Sequence, residues 1–181
     1  MASLSISRAS LGTLCLAALM SGCSMTGTQT GHASAQGAAA ANAATTSDSL
    51  AQTRWMLTRW LTSDGSTTRH APTNSLGRPV HLDFLAKGDD YRVGGFSGCN
   101  TFRGTYKLAG GTMTITAPAS TRMACPSPAD AGLERDYLKA LGSISTFSLD
   151  SGGAPRAMTI SLANGDTLSF TRGDDPSANG D

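Results

Sequence analysis

Between residues 55 and 170 the chain alternates apolar and polar positions in short runs broken by glycine turns. Val80, Leu82 and Phe84 are separated by His81 and Asp83, the period-two pattern of a strand with one buried face. Tyr91 and Val93 open a second run. Tyr106 and Leu108 precede Gly110-Gly111, and Met113 and Ile115 answer them beyond it, which predicts a hairpin. Phe147 with Leu149 reads as a strand, as do Met158, Ile160 and Leu162; Asn164-Gly165 then separates these from Leu168 and Phe170. An Asn-Gly pair between alternating runs is a strong hairpin signal, because both residues tolerate positive φ.

One segment changes period. After Pro126-Ser127-Pro128, apolar residues fall at Leu133, Tyr137, Leu138 and Leu141, with helical spacing. Ser127 suits the N-cap and Pro128 the first helical position. Asp130 and Glu134 lie early and Lys139 late, as the helix dipole favours, and Gly142 can end the helix in a left-handed conformation. The pattern predicts an α+β fold: a curled antiparallel sheet, open and barrel-like, packed around one helix of about 13 residues. Alone in water such a helix is marginal, so it needs the sheet.

The amino-terminal third has a different composition. The apolar run over residues 9–20 is too short for a membrane span, which takes about 20 residues, but suits an export signal. It ends in Leu19-Met20-Ser21-Gly22-Cys23, the pattern of a bacterial lipobox. Residues 1–22 are then a lipoprotein signal peptide and Cys23 carries the lipid; the alternative is an ordinary signal cut at another small residue. Ser24, in place of aspartate, favours the outer membrane over the inner. The expected location is the cell envelope, lipid-anchored and facing the periplasm. Residues 24–49 lack Leu, Ile, Val and aromatics, so nothing there offsets the entropy of ordering. Residues 23–50 are read as the lipidated cysteine and a tether spanning about 30 Å. The domain follows over 51–172, and 173–181 is a polar tail.

Within residues 51–172 there are 13 Lys+Arg against 9 Asp+Glu, with no basic block, so no nucleic-acid footprint is present. The stretch "GGFSGCNTFRGTY" over 94–106 places Cys99 among glycines and aromatics, and the domain's other cysteine is Cys125. In an oxidising compartment two thiols most simply form a disulfide. Closing that loop of about 27 residues stabilises the fold by about 3.5 kcal/mol. Gly94-Gly95 can supply a strand bulge, and Gly98 and Gly104 close packing. A dinucleotide loop is disfavoured because strand, not helix, follows the glycines. Zinc is disfavoured because Cys-x-x-Cys is absent and His70 and His81 are not spaced as a ligand pair. A cysteine nucleophile would need a free thiol and a base, for which His81 is the candidate, although its alternation with Leu82 suggests a solvent face. No catalytic residue, metal or cofactor is expected.

Together "GFSGCNTFRGTY" and "STRMACP" resemble the META/HslJ domain family. The first motif falls on Gly98, Cys99, Asn100, Phe102, Gly104 and Tyr106, the second on Thr121, Arg122, Met123 and Cys125. Trp55 and Leu57 resemble the family's opening strand. The resemblance implies a curled antiparallel sheet with a helix and a non-enzymatic envelope lipoprotein, and it transfers no catalytic residue. It leaves Asn100 and Arg122 open between structural roles and ligand binding; Arg122 can pair with an acid or carbonyl near the disulfide. The expected role is stress tolerance or envelope integrity through binding an envelope protein. The alternatives are an acyl chain or apolar peptide held inside the curled sheet, as in lipoproteins that pilot secretins, and thiol redox chemistry at Cys99 and Cys125. Met113, Met123 and Met158 can serve an apolar ligand or simply fill the core.

Overall fold

The computed structural model describes residues 47–150 and 154–176. The signal peptide, Cys23, the tether up to residue 46 and the last five residues of the tail lie outside the described residues. A short 3₁₀ turn, Ser47–Leu50, leads into β1 (Thr53–Leu61), β2 (His81–Lys87), β3 (Asp90–Phe96), β4 (Thr101–Ala109) and β5 (Thr112–Ser120). The helix α1 (Pro128–Leu141) follows, then β6 (Ile144–Leu149), β7 (Ala157–Leu162) and β8 (Thr167–Arg172).

All eight strands join one sheet in the order β5-β4-β3-β2-β1-β8-β7-β6, antiparallel throughout. The edge strands β5 and β6 come alongside each other without a ladder between them, so the sheet curls into a nearly closed barrel. The helix α1 connects those same two strands. Its buried residues Leu133, Tyr137, Ala140 and Leu141 join the core of the sheet. Tyr137 meets Trp60 of β1 and Phe102 of β4 edge-on, at centroid distances of 6.2 and 6.1 Å. The interior is occupied by Trp55, Trp60, Phe84, Phe102 and Tyr137, each 2% exposed or less.

The helix begins as its sequence dictates: the Ser127 hydroxyl accepts the Asp130 N–H, and Pro128 occupies the first turn. It ends differently. Gly142 has φ −83°, in the right-handed region; its N–H donates to the Lys139 carbonyl at 3.2 Å and the Ser143 N–H to the Ala140 carbonyl at 2.9 Å. A tight last turn therefore satisfies the terminal carbonyls without a left-handed cap. At the β4–β5 hairpin Gly110 and Gly111 both have positive φ, 59° and 78°. At the β7–β8 hairpin only Gly165 does, 86°; the loop is four residues long, so Asn164 need not adopt that conformation.

The domain also reaches further back than the expected start at Ala51. Leu50 is fully buried, Ser47 Oγ accepts the Leu108 N–H at 3.0 Å, and the Tyr106 hydroxyl donates to the Ser47 carbonyl at 2.9 Å. One leucine at the end of a polar run has no periodicity to announce it. Among the described residues no helix is long and apolar enough to cross a membrane.

Candidate functional site

The two motifs meet around the turn that joins β3 to β4. Ser97 N–H and Ser97 Oγ both donate to the Asn100 carbonyl, at 2.9 and 2.7 Å, which closes the turn. Gly98 has φ 106°, and a Cβ there would sit 2.6 Å from Leu133 Cδ2. Only glycine lets the helix approach this closely. Gly94 and Gly95 make no bulge, since both pair in regular register with β2 and β4. Gly95 instead permits close approach to β2: a Cβ there would lie 2.0 Å from the His81 carbonyl oxygen. The register shift in this region falls between Arg103 and Thr105, where the single residue Gly104 of β4 faces two residues of β5, so the extra residue belongs to β5.

Asn100 is 3% exposed and uses its whole amide. Its Oδ1 accepts the Met123 N–H at 2.8 Å and the Thr121 hydroxyl at 2.9 Å. Its Nδ2 faces the Met123 carbonyl at 3.3 Å, Glu134 Oε1 at 3.3 Å and Cys99 Sγ at 3.2 Å. Its backbone N–H donates to Glu134 Oε2 at 2.6 Å. A buried amide whose groups are all satisfied fixes its surroundings, because breaking any bond strands a polar atom. Asn100 thereby ties three segments together: the β3–β4 turn, the helix, and the strip that follows β5. Cys99 and Cys125 form a disulfide with Cα atoms 5.3 Å apart, fastening the same strip at its far end.

What this apparatus holds is exposed. Thr121, Arg122, Met123 and Ala124 all face solvent, and Met123 is 65% exposed. Met123 thus departs from the expectation that the three methionines share one role; Met113 and Met158, each 1% exposed, fill the core. Arg122 departs from the expected pairing as well: among the described residues it makes no hydrogen bond or ion pair. The bulk of the first motif is structural. Phe102 packs on Tyr137, and Tyr106 meets Phe84 and Tyr91 edge-on at 4.8 and 5.6 Å.

The histidines serve elsewhere. His81 is largely buried on the outer face of β2 and does not sit open to solvent, as its alternation suggests. It stacks on Phe96, whose other neighbour is the Arg78 guanidinium 3.9 Å from the ring centroid. Burial holds His81 below its usual range, against the opposing pull of Asp83. His70 pairs with Asp136 of the helix at 2.9 Å. With both sulfurs bonded to each other, neither cysteine is a nucleophile in this state. Glu134 is the residue that sequence reasoning missed: read there only as an early helical charge, it bonds Asn100 and Ser97 from beneath. Two surface hollows lie away from residues 121–125. One, of about 410 Å³, is bordered by Asp90, Tyr91 and Lys107; the other, of about 520 Å³, by Arg156, Arg172 and Asp174.

Comparison with known proteins gives a family and a fold. A META domain family model matches residues 48–175. An NMR structure of a protein from Burkholderia xenovorans is 34% identical over 71% of this chain and 86% of that one, with a TM-score of 0.61. A second NMR structure is 24% identical over 69% of this chain and 92% of that one, with a TM-score of 0.47. No curated protein matches the chain.

Proposed function

This chain belongs to the META domain family, and from that premise we propose that it is a non-enzymatic envelope lipoprotein, anchored through Cys23, that acts by binding another envelope component through residues 121–124. One observation carries the reading. Arg122 and Met123 are displayed to solvent on backbone that a buried Asn100 and a disulfide hold still. An interface gains when the ordering of its contact residues has been completed before the encounter. An unpaired guanidinium beside a flexible thioether suits a partner with an acidic group at the rim of an apolar pocket. The lipobox and the polar tether support a surface-anchored binder that samples partners near the membrane. Stress tolerance or envelope integrity is the role such a binder would fill.

Two measurements test this. Mass analysis of the membrane-extracted protein is expected to find acyl chains at Cys23 and none in Cys23→Ser; an unacylated amino terminus sinks the anchoring. Cross-linking in intact cells is expected to yield a discrete envelope adduct. The adduct should fall at least tenfold in Arg122→Ala/Met123→Ala with the fold unchanged. An adduct that survives this double substitution moves the binding surface elsewhere.

A further inference from the structure

The disulfide lies beside a carboxylate of the helix. The sulfurs of Cys99 and Cys125 and a carboxylate oxygen of Glu134 all lie within 4.8 Å of one another. Glu134 is half-buried, yet its carboxylate meets only neutral donors: Asn100 N–H at 2.6 Å, the Ser97 hydroxyl at 3.2 Å and Asn100 Nδ2 at 3.3 Å. Among the described residues it forms no ion pair. A carboxylate without a counter-charge, set beside two sulfurs, becomes a donor set for a thiophilic divalent cation once those sulfurs are thiolates.

We propose that the reduced protein binds one divalent cation of zinc's class between Cys99 Sγ, Cys125 Sγ and Glu134, with water as the fourth ligand. A dithiol reductant supplies two electrons and two protons; the S–S bond breaks to two thiols and the reductant leaves as its own disulfide. The cation then displaces both thiol protons, forming two metal–sulfur bonds and one metal–oxygen bond.

The geometry admits this. Tetrahedral zinc, with bonds of about 2.3 Å to sulfur and about 2.1 Å to oxygen, needs its sulfurs about 3.8 Å apart and sulfur and oxygen about 3.6 Å apart. Both separations fall inside the 4.8 Å envelope. Cα atoms 5.3 Å apart let the sulfurs part with little backbone movement. Asn100 Nδ2, 3.2 Å from Cys99 Sγ, points a donor at a sulfur that gains negative charge, which favours the thiolate and orients it. Cys125 is partly exposed, so reductant and metal have a way in. The absence of Cys-x-x-Cys is no obstacle, because the third ligand comes from α1. Oxidised, the centre is a covalent staple; reduced, it is a metal clasp across the same segments. This inference does not depend on what residues 121–124 bind.

The test uses the full chain carrying Cys15→Ser and Cys23→Ser, so that the outlying thiols cannot contribute. It is reduced with a phosphine, freed of reductant under argon and titrated with zinc sulfate against a chromogenic chelator. One zinc per reduced chain is expected and none per oxidised chain. Glu134→Gln, whose amide oxygen can still accept the Asn100 N–H, should bind at least tenfold more weakly. Cobalt(II) in the reduced parent should give an intense thiolate-to-metal charge-transfer band. The proposal is overturned by less than a tenth of an equivalent of zinc in the reduced chain, by equal affinity in Glu134→Gln, or by a cobalt spectrum lacking the thiolate band. Loss of near-ultraviolet dichroism on reduction that zinc does not restore would overturn it equally.

Discussion

The buried carboxamide of Asn100 accepts the backbone N–H of Met123 at 2.8 Å, while the side chain of Met123 stands 65% exposed. An interior residue thus sets the conformation of a surface strip 23 positions along the chain. Side-chain exposure and backbone mobility are separate properties, and here they diverge.

Asn100→Asp isolates the amide nitrogen. The retained oxygen still accepts from Met123 and Thr121, but a carboxylate oxygen replaces the group that faces Glu134 Oε1 at 3.3 Å. Two carboxylates at that distance repel, and the loss expected at pH 7 is about 2–4 kcal/mol. The folded variant takes up a proton that the unfolded chain does not, so its stability should recover as pH falls from 7 toward 4. Urea denaturation at both pH values checks this; a deficit that does not change with pH contradicts it.

Gly98→Ala sets a methyl against Leu133. The 2.6 Å contact and the φ of 106° both oppose it, and a cost of at least about 3 kcal/mol is expected. In a Leu133→Ala background the steric part disappears and only the backbone strain of about 1–2 kcal/mol remains. A double-mutant cycle measures the difference; additive effects would mean that the helix does not press on the turn.

Tyr137→Phe should cost nothing. The ring is fully buried, and among the described residues its hydroxyl has no hydrogen-bond partner. Removing an unsatisfied buried polar group relieves a penalty of about 1–3 kcal/mol, so the variant should melt at or above the parent temperature. A clear loss of stability would reveal a partner for the hydroxyl.

Asp166 makes the fold sensitive to acid. It is 1% exposed, accepts the Trp60 indole N–H at 3.1 Å and is clamped by the Arg69 guanidinium. Burial pushes its pKa up, but the bonds from Arg69 and Trp60 outweigh that and hold it below the usual range. A depressed folded value gives stability that is complete above the unfolded value, about 3.9, and is lost as pH falls through the folded one. Asp166→Asn should be weaker by about 1.5–3 kcal/mol at pH 7. The gap should narrow below about pH 4, as followed by denaturant titrations at stepped pH; a constant gap would rule out the carboxylate's charge as the cause.

Most of the strands and the helix were legible because each has a local signature, whereas β1 was read from the family resemblance of Trp55 and Leu57. Leu82 and Phe84 alternate with His81 and Asp83, and Ser127-Pro128 announces the start of α1. Cysteine counting was enough to pair Cys99 with Cys125. What resisted reading was set by tertiary placement. Leu50 carries no period. Phe96 is buried apart from the main core, beneath Arg78, which no strand pattern encodes. Met123 has the composition of a core residue and the position of a surface one. Glu134 looks like a dipole-complementing charge until the turn at Ser97 is folded against it.

The Ser47–Leu50 turn decides how mechanical load would enter the domain. Its first residue is bonded to Tyr106 and Leu108 of β4, whereas the chain continues from it into β1, three places away in the sheet. Tension arriving from the amino-terminal side would be shared between two non-adjacent strands and the buried Leu50 before β1 could peel from its neighbours. A pull applied at Ser47 would load the body of the barrel, and the first strand would not bear the strain alone.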